Sequence, residues 1–243
     1  MEIRFPRLIT MSLHVHIRHF FAMELVEEPL VPFGDDNKSF CHSFFEMWSY
    51  TRPVSVYIND ELVDNSEYEV FFNPKKEGDR ITPAHIRFRN ELSDTDKVSA
   101  NFWANHVPIK PSYAGEYHAP FLVIDVGPYV PVGWELGGTD MVSIQFLADI
   151  CADSEGQRDD LTDMFIEVLK RDADLINFNL GFPIDEDGRI NPEYNHDAQK
   201  IGTIYFSDIS VTPNPSGSGE EEEKNRCLVT FNASSLRSWN TKV

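Results

Sequence analysis

The spacing of apolar positions changes along the chain. In residues 12–27 the apolar side chains Leu13, Ile17, Phe20, Phe21 and Leu25 recur at helical spacing and form one stripe. The spacing predicts a helix ended by Pro29 and Pro32, with the stripe as a core contact. From about Asp35 to Val107 the period drops to two. Residues 53–60, 69–72, 86–89 and 97–103 each read as a short strand, separated by Asn73-Pro74, Glu77-Gly78-Asp79 and the polar run 90–96. These runs predict a small antiparallel β module, and Pro108-Ile109-Lys110-Pro111 reads as a linker after it.

The remaining segment reads as α+β. Residues 121–126 are an apolar run expected to be a buried strand, with 129–136 pairing back across Gly127-Pro128. Residues 141–152 alternate cleanly, with Val142, Ile144, Phe146, Ala148 and Ile150 on one face and Ser143, Gln145, Leu147 and Asp149 on the other. A helix follows. Ser154 and Gln157 have capping-box spacing, and Leu161, Met164, Phe165, Val168 and Leu169 form its buried face. Acids early and bases late in this helix suit its dipole. Residues 201–211 and 227–232 read as two further strands. The connector at 212–226 is long, rich in Pro, Ser and Gly, and carries Glu220, Glu221, Glu222 and Glu223. The expected division is therefore an N-terminal helical segment 1–34 packing on the C-terminal domain, a β module 35–108, and an α+β domain 109–243.

Composition narrows the function. The chain has 243 residues with 40 acidic and 21 basic side chains, a formal charge of −19. Phosphate recognition needs a basic surface, so a free-standing nucleic-acid binder is excluded, as is docking on an anionic membrane. Residues 1–110 carry 12 basic and 17 acidic side chains, and residues 111–243 carry 9 and 23, which places most of the excess in the second segment. No apolar stretch reaches the roughly 20 residues of a membrane helix, and the N-terminus lacks the apolar core of a signal peptide. Cys41, Cys151 and Cys227 are far apart and without metal-site spacing, so free thiols in a reducing compartment are expected.

Candidate chemistry is sparse. No phosphate-binding glycine loop, Gly-x-Ser-x-Gly or His-Glu-x-x-His occurs. His14, His16 and His19 form the densest histidine group. On a strand His14 and His16 would share a face, but on a helix they point apart and only His16 and His19 can meet, at i, i+3, so a surface or subunit-contact role is expected rather than a metal site. Asp185-Glu186-Asp187-Gly188-Arg189-Ile190 resembles the middle of a calcium loop. Aligned on Gly188, its first and twelfth positions are Pro183 and Tyr194, so an acidic turn is the better reading. Neighbouring carboxylates such as Asp159-Asp160 diverge on a helix and make no acid/base pair. The expectation is no enzyme, no metal and no cofactor.

The order of strand, glycine-bearing hairpin, long alternating strand, hydrophilic turn 153–161 and amphipathic helix resembles the tail terminator proteins of tailed bacteriophages. The match runs from about Pro120 to Pro183. The resemblance implies a tail-terminator-like α+β sheet with flanking helices, here with an inserted antiparallel β module. It implies a virion structural protein that assembles into a ring, commonly hexameric, at the head-proximal end of the tail tube. Such a ring ends tube growth and joins the tail to the neck. Implied partners are other copies of the chain, the tube protein and a neck or head-completion protein. DNA passes through the lumen without specific binding, no membrane is involved, and assembly takes place in the host cytoplasm. A head-completion adaptor or stopper is the alternative, and a carbohydrate-binding accessory domain a distant one. Glu220, Glu221, Glu222, Glu223, Trp134 and Trp103 are the partner-contact candidates. The glutamates suit a basic receiving surface and the tryptophans an apolar one.

Overall fold

A computed structural model describes residues 2–34, 37–45, 47, 54–72, 75–77, 80–110, 119–133, 139–185, 188–213 and 225–238. In chain order the elements are α1 (Phe5–Phe20), β1 (Ala22–Pro29), β2 (Val31–Pro32), β3 (Ser39–Cys41), β4 (Ser55–Ile58), β5 (Glu61–Leu62), β6 (Tyr68–Phe71), β7 (Lys75–Glu77), β8 (Arg80–Thr82), β9 (His85–Phe88) and β10 (Val98–Asn105). Then come β11 (Ile109–Lys110), β12 (Phe121–Gly133), β13 (Thr139–Cys151), α2 (Glu155–Leu169), β14 (Ala173–Ile176), a 3-10 turn (Phe178–Leu180), α3 (His196–Gln199), β15 (Lys200–Pro213) and β16 (Arg226–Ser238). The fold is α+β, and the chain forms two compact units. Unit 1 is Met1–Phe21, Val107–Leu180 and His196–Val243; unit 2 is Ala22–His106 and Gly181–Asn195.

The boundaries differ from those expected. The first helix starts seven residues early, because Pro6 fits the first turn, and ends at Phe20, capped by Phe21, whose N–H closes on the Ile17 carbonyl at 2.9 Å. Its buried stripe is Phe5, Leu8, Ile9, Leu13 and Ile17. Leu25 leaves the stripe altogether: Ala22–Pro29 pairs with β10, placing Leu25 opposite Phe102. Ile3 is clipped by Asn179, whose Oδ1 accepts from the Ile3 N–H at 2.6 Å and whose Nδ2 donates to the Ile3 carbonyl at 3.2 Å. The division expected at 34/35 thus falls at Phe21/Ala22, and Gly181–Asn195 joins unit 2. The charge division changes as well. Unit 2 holds 20 acidic and nine basic side chains and unit 1 holds 20 and 12, so the acidity is nearly shared.

Unit 1 is a six-stranded sheet in the order β11-β12-β13-β16-β15-β14, antiparallel except for the β11–β12 pair. The inward residues read from the alternation of residues 141–152 are all buried. They meet α1 and α2 in one core, where Phe231 lies 5.5 Å from Phe146 and 5.8 Å from Phe165 between ring centroids. Ser154 caps α2 by accepting the Gln157 N–H at 3.2 Å. Gln157 reaches back one residue further than a capping box requires, its Oε1 accepting the Asp153 N–H at 2.8 Å.

Two histidines expected at the surface are half-buried in unit 1. Burial, and then the neighbouring Arg18 guanidinium, pushes His14 down to about 4. His16 is also lowered by burial; its ring lies 4.8 Å from Phe20 and 5.8 Å from Phe206, with Nε2 3.4 Å from the Val168 carbonyl.

Unit 2 contains two four-stranded antiparallel sheets, β1-β10-β4-β5 and β2-β3-β9-β6, plus the ribbon β7-β8. Their buried residues, among them Val56, Phe102, Ile86, Phe88 and Phe40, form one core. The four strands expected here correspond to β4, β6, β9 and β10. Gly181–Asn195 crosses back to this unit as a strap. Its Gly188 carbonyl accepts the Phe72 N–H at 2.8 Å, and Ile184 packs against the core. Either side of Glu186 and Asp187, which lie outside the described residues, the Asp185 N–H donates to the Arg189 carbonyl at 2.9 Å, and Gly188 takes φ 88°.

Candidate assembly interface

Four long strands dominate unit 1. β12, β13, β16 and β15 are adjacent in that order, each antiparallel to the next. The outer two, β12 and β15, therefore run in opposite directions. Their outer edges are only partly covered. β11 pairs with Leu122 and Val123 alone, and β14 pairs with β15 only between Lys200 and Ile204. Among the described residues no strand pairs with the outer edge of β12 at 124–133 or of β15 at 205–213. Such edges carry backbone donors and acceptors ready for another strand.

The β15 edge is lightly guarded. Residues 205–213 hold one charged side chain, Asp208, and expose Tyr205 (50%), Ile209 (38%) and Val211 (41%). β1 in unit 2 has a protected edge by contrast, with Glu24, Glu27 and Glu28 in eight residues and a bulge between Leu25 and Glu28.

Both outer strands carry a bulge, on neighbouring rows of the ladder. β12 shifts register between Val126 and Tyr129, and β15 between Ser207 and Ser210. Val126 opposes Phe146, Gln145 opposes Asn232, and Asn232 opposes Ser207, so the irregularities flank the Gln145–Asn232 pair. The segment expected as two strands joined at Gly127-Pro128 is one strand, β12, because glycine and proline here form an edge bulge rather than a hairpin turn. A Cβ at Gly127 would stand 3.0 Å from the Gln145 carbonyl oxygen, so the close approach favours glycine. At the other bulge Asp208 takes φ 53°, and its Oδ2 accepts from Asn232 Nδ2 at 2.7 Å and Ser207 Oγ at 3.1 Å.

The two faces of the sheet differ. The core face is covered by α1 and α2. The opposite face carries Ser143, Gln145, Asn232 and Ser234 across the central rows, with Ser234 Oγ donating to Ser143 Oγ at 2.9 Å. One end of this face holds a buried charge pair. Asp149 is fully buried, Arg226 Nη2 lies 2.5 Å from its Oδ2, and Nε lies 3.4 Å from its Oδ1. The Cys151 thiol also donates to Asp149, at 3.7 Å, and burial followed by that carboxylate pushes the thiol up to about 12. Cys41, Cys151 and Cys227 are all free and buried. Cys227 opposes Ile150 in the ladder, so its side chain faces the core while Cys151 faces the other way.

Of the partner-contact candidates, Trp103 lies half-buried on β10 opposite Glu24. Trp134, Glu220, Glu221, Glu222 and Glu223 lie outside the described residues. Residues 201–211 read as a strand from sequence, but the edge left unpaired among the described residues does not, since it depends on how far β14 runs along β15. The nearest approach to polar chemistry is at Asp174, 3.2 Å from His196 Nε2 and 2.5 Å from Lys200 Nζ. Burial draws its carboxyl upward, but Lys200 and His196 outweigh that and hold it below the usual range. No three His, Cys, Asp or Glu side chains group with metal-binding geometry among the described residues. Among those residues no helix is long and apolar enough to cross a membrane. No protein-family model and no curated protein matches the chain.

Proposed function

We propose that the protein is a virion structural protein that closes into a ring at the head-proximal end of a phage tail tube, ends tube growth and joins the tail to the neck. The observation that supports the assembly is the pair of opposed edges left unpaired among the described residues. Because β12 and β15 are antiparallel, the β15 edge of one copy placed against the β12 edge of the next continues the alternation of the ladder. A head-to-tail contact of this kind either closes or grows without limit, and closure removes every open edge. Bulges on neighbouring rows in the two outer strands add twist and bend, which a closed sheet requires. The tail-end assignment rests on the resemblance of residues 120–183 to tail terminators.

The helix-free face carries the hydroxyls and amides of Ser143, Gln145, Asn232 and Ser234 together with the carboxylates of Asp125 and Asp208, which suits a lumen that repels phosphate and lets DNA cross without being held. The test is to mix the purified chain with purified tail tubes. Rings at one tube end, with halted tube growth, are expected. A chain that stays monomeric at every concentration and never joins a tube would sink the proposal.

A further inference from the structure

The two outer strands of the unit 1 sheet each leave an aliphatic side chain exposed on the same face. Residues directly opposite in an antiparallel ladder share a face. Val126 on β12 opposes Phe146, which opposes Phe231, and both rings belong to the helix-covered core. On the next row of that face Ile124, Ala148, Val229 and Val211 follow one another across the sheet. Val126 and Val211 therefore stand at opposite margins of the core face, on neighbouring rows. They are 46% and 41% exposed, and Ile209 in the β15 bulge is exposed near Val211. Ile124, at the far end of the row of Val211, is fully buried. On the other face the same stretch of the two margins carries Asp125, Ser207 and Ser210.

We propose that Val126 of one copy packs against Val211 of the next, so that the helix-covered cores of successive copies join along one apolar seam, with the ladder stepping by one row from copy to copy. The contact rests on the ring reading and deepens it by naming the side chains and register that join the copies. Three observations select a second copy as the occupant. This chain carries both halves of the contact: two exposed valines on one face, on strands whose opposite directions let the sheet continue from one copy into the next. A straight continuation of the row would set Val211 beside Ile124, which is already buried, whereas a step of one row sets exposed valine against exposed valine. A step of this kind is also the stagger that a sheet needs in order to close on itself. The polar margin of the other face gives no apolar match, so the dry side of the seam is the core side.

The test uses the full chain at one ionic strength, with self-association measured by light scattering across concentration and covalent products by mass spectrometry. Val126→Lys changes an exposed side chain, so melting should be unchanged while self-association weakens by roughly tenfold or more. Chains carrying Val126→Cys, mixed with chains carrying Val211→Cys and oxidised in air, should give a disulfide-linked dimer with one chain of each, which neither variant gives alone. Val126→Cys mixed with Ser210→Cys should give no such dimer, because Ser210 opposes Thr230 and faces the other way. Wild-type assembly by Val126→Lys, equal linking to the 211 and 210 variants, or no link at 211 between chains that still assemble overturns this contact and leaves the ring reading standing. A wild type that never assembles, alone or on tubes, overturns both.

Discussion

Gln145 and Asn232 face each other across β13 and β16, and each supports a bulge in the strand outside it. The Gln145 carbonyl leaves no room for a side chain on Gly127, and the Asn232 amide holds Asp208 in a left-handed conformation. The bend of the sheet is thus set from its two central strands.

Gly127→Val should therefore destabilise the fold by roughly 1–3 kcal/mol, because the added atoms meet backbone rather than a movable side chain. Asn232→Ala should cost about 1 kcal/mol, one hydrogen bond to a carboxylate at an exposed site. Chemical denaturation of both variants checks the order; a Gly127→Val protein as stable as wild type would count against the bulge.

Arg226 holds the end of the same sheet. Replacing it with Met leaves the Asp149 carboxylate buried without its cation, at a cost of roughly 3 kcal/mol. The double variant Asp149→Leu with Arg226→Met should recover much of that loss, since neither charge remains. Denaturant midpoints of the three proteins decide it.

His14 makes stability depend on pH. Its folded value of about 4 lies below the ordinary 6.5, so the unfolded chain binds the proton more readily. The stability is whole above about pH 6.5, falls as the solution is acidified, and levels off below about pH 4. The total is roughly 3 kcal/mol. The wild-type profile minus that of His14→Gln should show this slope, while a flat difference would place His14 in water.

The edge of β15 should respond to charge. Val211→Lys puts an ammonium on an exposed edge position and should block strand addition without altering the melt. Added salt should strengthen wild-type assembly, because each chain brings a formal charge of −19 to the contact. Sedimentation at two ionic strengths measures both effects.

Legibility in the sequence followed the strength of local signals. β13 was readable because five buried positions alternate without interruption. α2 was readable from its cap and stripe. The N-terminal helix was displaced because Leu25 continues the helical spacing by chance, although its partner is Phe102 in a sheet. β12 was split because Gly-Pro signals a turn in isolation, and only the neighbouring Gln145 reveals a bulge. The strap Gly181–Asn195 and the cover of His14 and His16 depend on contacts far away in sequence, which no local pattern encodes. The edge left unpaired among the described residues belongs to the same class. Residues 205–213 look like any strand until β14 proves too short to cover them.

The central claim is that copies join through the β12 and β15 edges. Hydrogen exchange of the backbone amides in residues 205–213, compared between the free chain and the assembled ring, tests it most directly. Joining at this edge predicts marked slowing across 205–213 and across 124–133 on assembly, with 141–150 protected in both states. Rings that form while both edge segments exchange as fast as in the free chain would contradict it.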